Sequence, residues 1–284
     1  MIRILTDSTA DLTQAAAREL GVEVVPLRVL FGQESYLDGV EMTTADFYPR
    51  LAVSQQLPTT SQPTPGDFLP YFQAAKDAGD SVVVVLISGA LSGTVQSATI
   101  AKDMADYEPI YIIDSLTTIT GLRLLVHRAC ALRDGGGDAR EIAAALEALK
   151  HRVVLYAVVD TLEYLHKGGR LSRAGMVAGS LLNLKPIISV TSQTQGGIKV
   201  VGKPRGNAKS VRFLLDAMAA SGVASDSPIL FGYTATQEKL APLREAVLEQ
   251  YKPSHTDCLE VGSVVGTHAG PGAAAMSFLL PEPR

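Results

Sequence analysis

The sequence predicts a two-lobed α/β protein, with a mostly parallel sheet in its N-terminal lobe and a mixed sheet with helices in its C-terminal lobe. Three observations carry this reading. Short β-branched runs alternate with segments of helical apolar spacing, the pattern of strands joined by crossover helices. Polar, glycine-containing loops fall where the strand-like runs end. After residue 150 the strands become shorter and closer together, which suits a mixed sheet, so the expected lobes are residues 1–150 and 151–284.

In chain order, strands are expected over residues 3–5, 82–87, 110–113, 153–158, 186–190, 198–202, 229–233 and 259–264. A helix is expected to open near Asp11. Another starts at Thr64-Pro65-Gly66-Asp67, where a hydroxyl cap precedes a proline in the first helical position and an early carboxylate. Phe68, Tyr71, Phe72 and Ala75 then recur at helical spacing and share one face. A further helix follows residue 94 and contains Ala98, Ala101 and Met104. Gly135-Gly136-Gly137 ends a helix, and Asp138 with Glu141 makes a capping-box start for the next. Val211, Leu214, Leu215 and Met218 repeat the helical spacing, as do Leu240, Leu243, Val247 and Tyr251.

Composition narrows the function. The net charge of −4 argues against a general nucleic-acid binder, which would be basic. Cys130 and Cys258 fit no metal or redox spacing, and Cys130 lies in an apolar helical pattern as a core thiol. A reducing cytoplasm is the expected location. The N-terminus lacks a signal peptide's apolar stretch, and no apolar run is long enough to span a bilayer.

Four loops could carry chemistry. Thr6-Asp7-Ser8-Thr9 follows the first strand, where Asp and Ser also serve as caps and turn formers. Pro58-Thr59-Thr60-Ser61-Gln62-Pro63 sets three hydroxyls and an amide between two prolines that stiffen the loop. Ser88-Gly89-Ala90-Leu91-Ser92-Gly93-Thr94 runs from a buried strand into a helix. Glycines there allow close backbone approach, and a helix start offers free N–H groups, so this reads as a pocket for a carboxylate or a phosphate. The fourth, Gly266-Thr267-His268-Ala269-Gly270-Pro271-Gly272, is expected to place His268 in a glycine-rich turn, able to donate to an anion or orient a hydroxyl. His127, His151, His166 and His255 read as structural or surface residues.

Several chemistries lack their motifs. There is no G-x-x-x-x-G-K-[ST], and Gly270 to Ala275 matches a dinucleotide fingerprint only formally, because a strand-like segment follows it. Ser92 follows a strand and precedes a helix, as a nucleophile elbow does, but not in a G-x-S-x-G setting; a serine hydrolase using Ser92 and His268, with Asp114 or Asp160, is therefore only the alternative reading. Asp7 and Asp114 lack a third carboxylate for a magnesium site. Basic residues cluster at Lys167 to Arg173 and again at Lys199, Lys203, Arg205, Lys209 and Arg212, which suggests docking to an acidic protein or transient contact with an anionic membrane.

Read together, the loops resemble those of a known family. Thr6-Asp7-Ser8-Thr9-Ala10-Asp11-Leu12 is similar to the opening signature of the DegV family of bacterial fatty-acid-binding proteins. The Pro58 loop, Leu91-Ser92-Gly93-Thr94-Val95-Gln96-Ser97-Ala98 and Ile113-Asp114-Ser115 resemble its later motifs. So do Leu162-Glu163-Tyr164-Leu165-His166-Lys167-Gly168-Gly169-Arg170, Leu182-Asn183-Leu184-Lys185-Pro186-Ile187 and the His268 loop. The resemblance spans essentially the whole chain, in order.

It implies a DegV-like fold with a long-chain fatty acid between the lobes, and no other cofactor or metal. The carboxylate would meet Thr60, Ser92 and His268, supported by Asp7, Ser8, Ser61, Gly93, Thr94 and Gly270. It further implies an acyl-carrying subunit, FakB, with no catalysis of its own. A separate ATP-dependent kinase subunit would phosphorylate the bound carboxylate for phospholipid synthesis, with Arg205 and Arg170 facing that partner. Val95 stands where an aromatic residue is common in the family.

Overall fold

The computed structural model describes residues 1–172 and 183–282. Arg173 of the first basic cluster and Leu182 of the sixth motif lie outside the described residues.

Hydrophobic β-branched runs buried on both faces make the first sheet, as expected of parallel strands covered by helices. It joins β1 (Ile2–Asp7), β2 (Val22–Val25), β6 (Ser81–Leu86) and β7 (Ile110–Asp114) in the order β2-β1-β6-β7, all parallel. A small antiparallel sheet joins β3 (Arg28–Phe31), β4 (Glu34–Leu37) and β5 (Thr59–Ser61) in the order β4-β3-β5. The mixed sheet contains β8 (Val153–Val158), β9 (Ile187–Thr191), β10 (Lys199–Gly202), β11 (Ile229–Tyr233), β12 (Thr256–Glu260) and β13 (Ala274–Leu279). Its order is β10-β9-β8-β13-β11-β12, antiparallel except for β11 with β12. The expected fold class is the one observed.

On one face of the first sheet lie α3 (Pro65–Ala78) and α4 (Thr94–Ala105); on the other lie α5 (Ile119–Asp134) and α6 (Ala139–Leu149). Phe68, Phe72 and Ala75 of α3 are fully buried, with Tyr71 packed beside them. The Asp67 carboxylate accepts hydrogen bonds from Thr64 N and Oγ1, and Asp138 with Glu141 forms the expected capping box. Helix α5 is the common layer of the molecule. It packs on β1 and β6 and also on β8, β11 and β13. The Thr120 and Ser277 hydroxyls meet at 2.6 Å where it crosses the second sheet. Cys130 is buried on α5 as a core thiol.

Helices α8 (Asn207–Ser221) and α9 (Leu240–Tyr251) cover the outer face of the second sheet, packing on Phe231, Met276 and Phe278. Strand alternation sends Leu155, Ala157, Ile188, Val190, Ala273 and Ala275 to the inner face. The remaining helices are α1 (Gln14–Leu20), α2 (Thr44–Val53), α7 (Glu163–Lys167) and α10 (Ser263–Ala269). Among the described residues, no helix is long and apolar enough to cross a membrane.

Three local expectations are corrected. The helix expected near Asp11 begins at Gln14; Asp11 has φ of 51° and closes a single 3-10 turn, after which Thr13 caps α1. The Pro58 loop contains strand β5, too short to show a period. The strand expected over 259–264 ends at Glu260, and Ser263 opens a helix instead. Val264 and Val265 favour a strand locally, but buried partners at Gly262 and Ser263 turn the chain into α10. His268 therefore sits in the last turn of a helix and not in a glycine-rich turn.

Candidate functional site

In the first sheet the chain leaves β1 to one side and returns to β6 on the other. The loops after these strands therefore part at a switch point, the usual ligand position in open α/β sheets. Asp7 anchors it. Its Oδ1 accepts from Thr9 N at 2.9 Å and Thr9 Oγ1 at 2.6 Å, and its Oδ2 accepts from Ile87 N at 2.7 Å. Burial pushes the Asp7 carboxyl up to about 6. Asp7 thus fixes the path of the Ser88–Gly93 loop without reaching a ligand itself. Asp114 does the same from β7, accepting from Gly89 N and Leu116 N.

Beyond this loop a tunnel runs over the inner face of the second sheet. It encloses about 840 Å³ of space free of protein atoms, its open mouth included. Its floor is built of small and aliphatic residues: Leu155, Ala157 and Val159 from β8 and the loop beyond it, Ala273 and Ala275, and Gly232. The opposite face of the same strands carries Phe231, Met276 and Phe278. Side-chain size, alternating across the sheet, makes the space. Ile119 also lines the tunnel, with a φ of 50° that a β-branched residue rarely adopts.

Polar groups gather where β5, the Ser88–Gly93 loop and α10 meet. His268 Nε2 lies 2.8 Å from Thr60 Oγ1, and the Ser92 and Thr94 hydroxyls are 2.8 Å apart. Thr60, Gln62, Ser92, Arg170 and His268 all line the tunnel. Burial, then the nearby Arg170 guanidinium, push the His268 imidazole down to about 4, so the ring is neutral at neutral pH. Its Nδ1 is buried with no partner among the described residues. Orphaned buried N–H groups are rarer than under-used acceptors, so we assign the proton to Nε2. Nε2–H then donates to Thr60 and leaves the Thr60 hydroxyl free to donate to a ligand.

Glycines make this packing possible. A side chain on Gly168 would meet His268 Nδ1 at 2.1 Å, and one on Gly93 would meet Gln62 Oε1 at 2.2 Å. The Gln62 amide donates to Gly93 O and Ser97 Oγ, tying β5 to α4. Gly168→Ala is expected to push the His268 ring off Thr60 and weaken binding of an anionic ligand by about tenfold, the worth of one hydrogen bond. Titrating the variant with oleate checks this, and an unchanged affinity would remove Gly168 from the site.

The structure therefore brings Thr60, Ser92, His268, Gly93 and Thr94 together. Gly270 has φ of 71° and ends α10 against the Tyr164 ring. Ser61 is exposed, on the other side of β5 from Thr60, and Ser8 accepts from Leu27 N and lines a different cleft. Arg205 is exposed between β10 and α8 and does not line the tunnel. Arg170 does line it, donating to Leu91 O and Gly168 O, with no acid bound to it among the described residues. Sequence reasoning missed Gln62, Gly168 and the position of Arg170. All three stood in motifs already singled out, but only the crossing of β5 and α7 with α10 shows what they face.

Fold and site define a class: an α/β binding protein whose second sheet floors an apolar tunnel with one polar end. The chain belongs to the DegV family. Residues 1–280 match the family model described as "Uncharacterised protein, DegV family". A DegV domain-containing protein of Caldanaerobacter subterraneus is 34% identical over 278 residues, 98% of each chain. A DegV family protein of Thermus thermophilus, described for its fatty acid binding, superposes with a TM-score of 0.90 at 33% identity, covering 99% of both chains. DegV of Bacillus subtilis, described as a fatty acid binding protein, gives a TM-score of 0.84 at 29% identity over 99% of both chains.

Proposed function

We propose that this chain holds a long-chain fatty acid between its lobes, residues 1–150 and 151–284, and presents the carboxylate to a separate ATP-dependent kinase subunit. The observation that carries this is the tunnel, apolar along its floor and polar at one end. Each buried methylene contributes about 0.8 kcal/mol, so the tail dominates affinity. A carboxylate leaving water needs strong compensating hydrogen bonds. Thr60 and Ser92 supply hydroxyl donors, the first turn of α4 leaves backbone amides free, and Arg170 supplies the positive charge. Neutral His268 orients Thr60.

The relatives from Thermus and Bacillus, described as fatty-acid-binding, support the ligand class. In this reading the chain is a carrier without catalysis of its own. A serine hydrolase is disfavoured, because His268 bonds Thr60 and, among the described residues, no carboxylate orients its Nδ1. Asp114 is committed to backbone amides, and Asp160 to Lys185 and Lys239. Arg205, exposed on the C-terminal lobe, fits a partner-facing role. In the basic clusters, Lys167 and Arg212 pair with Glu163 and Asp216 on their own helices.

Mass spectrometry of solvent extracts from natively purified protein is expected to find one fatty acid per chain. Finding none after incubation with oleate or palmitate overturns the reading. Ser92→Ala is expected to lower acyl-phosphate formation with a DegV-partner kinase by tenfold or more while tail binding changes less than threefold. Equal phosphorylation of mutant and wild type would refute the carboxylate role of Ser92.

A further inference from the structure

Helix α10 brings Val264, Val265, His268 and Ala269 to the tunnel, yet it has only seven residues. A helix of two turns has no stability of its own. Where its imidazole lies is therefore set by the packing of Gly168 against the ring and by whatever grips the helix start, roughly 7.5 Å away at 1.5 Å per residue.

The side-chain bonds in that grip come from the first 48 residues of the chain, beside a backbone bond from Val261 N to Tyr233 O at 2.8 Å. The Tyr48 hydroxyl donates to Val261 O at 2.7 Å. Gly262 N donates to Asp11 Oδ1 at 2.9 Å. Ser263 donates twice to Asp38 Oδ1, from N at 2.9 Å and from Oγ at 2.6 Å. Phe47 and Tyr48 close on Gly266, where a side chain would come within 2.8 Å of both. At Gly262 a side chain would meet Asp11 Oδ1 at 2.7 Å and Asp38 Oδ1 at 3.2 Å, so the two carboxylates converge on one backbone turn.

Two buried carboxylates are a costly way to cap two turns of helix, since a hydroxyl or amide would satisfy the same N–H groups with less desolvation. Asp38 is 3% exposed, and burial holds its carboxyl above the usual range. Asp11 is raised further, by burial and by the Asp38 charge. Asp38 is itself fixed, its N donating to Leu27 O. What Asp38 offers is one oxygen that accepts two short bonds from Ser263 at once, which fixes the first turn of α10 tightly.

We propose that Asp38, seconded by Asp11, is a positioning residue that sets His268 against Thr60, so that a carboxylate clamp in the N-terminal lobe governs how the ligand head group is held. The head-group half of this statement rests on the fatty-acid reading above; the placement of His268 does not. Asp38 touches no part of the tunnel and acts only through α10.

Two measurements test it together: the His268 titration followed by NMR, and the affinities for oleate and for oleyl alcohol, which shares the tail but lacks the carboxylate. Wild-type His268 is expected to titrate at about 4. In Asp38→Ala the midpoint should rise by at least one unit toward the ordinary ~6.5. Oleate affinity should fall tenfold or more and oleyl alcohol affinity less than threefold. Asp38→Asn keeps an acceptor for Ser263 N and should recover both the low midpoint and most of the oleate affinity.

An unchanged midpoint together with unchanged oleate preference in Asp38→Ala overturns the proposal. If that variant does not fold, Ser263→Ala removes only the hydroxyl bond and should move both readouts the same way by a smaller amount; no movement overturns it equally. Should wild type bind oleate no better than oleyl alcohol, the carboxylate-binding reading fails, while the titration still decides whether Asp38 places His268.

Discussion

Ala157→Phe is expected to lower the affinity of the delipidated chain for oleate by at least a hundredfold while leaving it folded. Ala157 is 5% exposed on the inner face of β8 and lines the tunnel floor between Leu155 and Val159. Its sheet neighbours there are Ile188 on one side and Ala275 on the other. A benzyl group at this position points into the tunnel, since the strand direction is fixed by pairing on both sides. If it excludes about half of a long tail, some eight methylenes are lost at about 0.8 kcal/mol each, on the order of 6 kcal/mol gross. Part of this returns through a shifted ligand pose, and the hundredfold figure allows for that. The ring takes space that the tail would occupy, and overpacking against the tunnel wall would cost about 1–3 kcal/mol, less than the usual total stability. The test is a calorimetric titration with oleate, alongside a thermal melt. A variant that still purifies with one fatty acid per chain would show that the tail lies elsewhere.

How legible this was depended on the range of the contacts involved. The helical faces of α3 and α6 and three strands of the parallel sheet, β1, β6 and β7, declare themselves, whereas sequence reasoning missed the four-residue β2; the caps at Thr64 and Asp138 are local chemistry. Strands β3, β4 and β5 have three or four residues each, too few for a period, and pair only through tertiary contacts. Residues 259–264 misled because the β-branched Val264 and Val265 outweigh the helix signal. What decides the matter is two carboxylates more than 220 residues earlier in the chain, bonded to Gly262 and Ser263. The same holds at the site. Thr60, Ser92 and His268 stand in recognisable loops, but the tunnel comes from small residues alternating with large ones across three strands, and alanine carries no local signal of facing a void. Arg170 shows the remaining gap: its basic neighbours suggest a surface, whereas its guanidinium lies over Leu91 O and Gly168 O at the tunnel wall.

The largest loss of stability is expected at Asp7, with a pH dependence of definite sign. Asp7→Ala strands the buried amides of Thr9 and Ile87, each worth about 1–3 kcal/mol, out of a total stability usually near 5–15 kcal/mol. Asp7→Asn is subtler. One amide oxygen cannot accept from both Thr9 and Ile87, and the NH₂ group would face an N–H, so one donor is orphaned at every pH. The aspartate, however, carries a burden of its own: burial raises it from 3.8 to about 6 in the fold. A raised carboxyl means that the folded chain holds the proton more tightly than the unfolded one. Its contribution is therefore complete below about 3.8 and fades as pH rises through about 6, by roughly 3 kcal/mol at 1.36 kcal/mol per unit. Asparagine does not titrate there. The advantage of wild type over Asp7→Asn should thus be larger near pH 4 than at pH 7.5, by roughly 2 kcal/mol. His268 opposes this trend in the wild type, since a depressed imidazole stabilises the fold fully above about 6.5 and progressively less as pH falls toward about 4. It is present in both proteins and cancels in the difference. Urea unfolding of the pair at the two pH values measures that difference. A gap that stays constant with pH would mean that Asp7 is ionised throughout, and that the switch point is less dry than its hydrogen bonds imply.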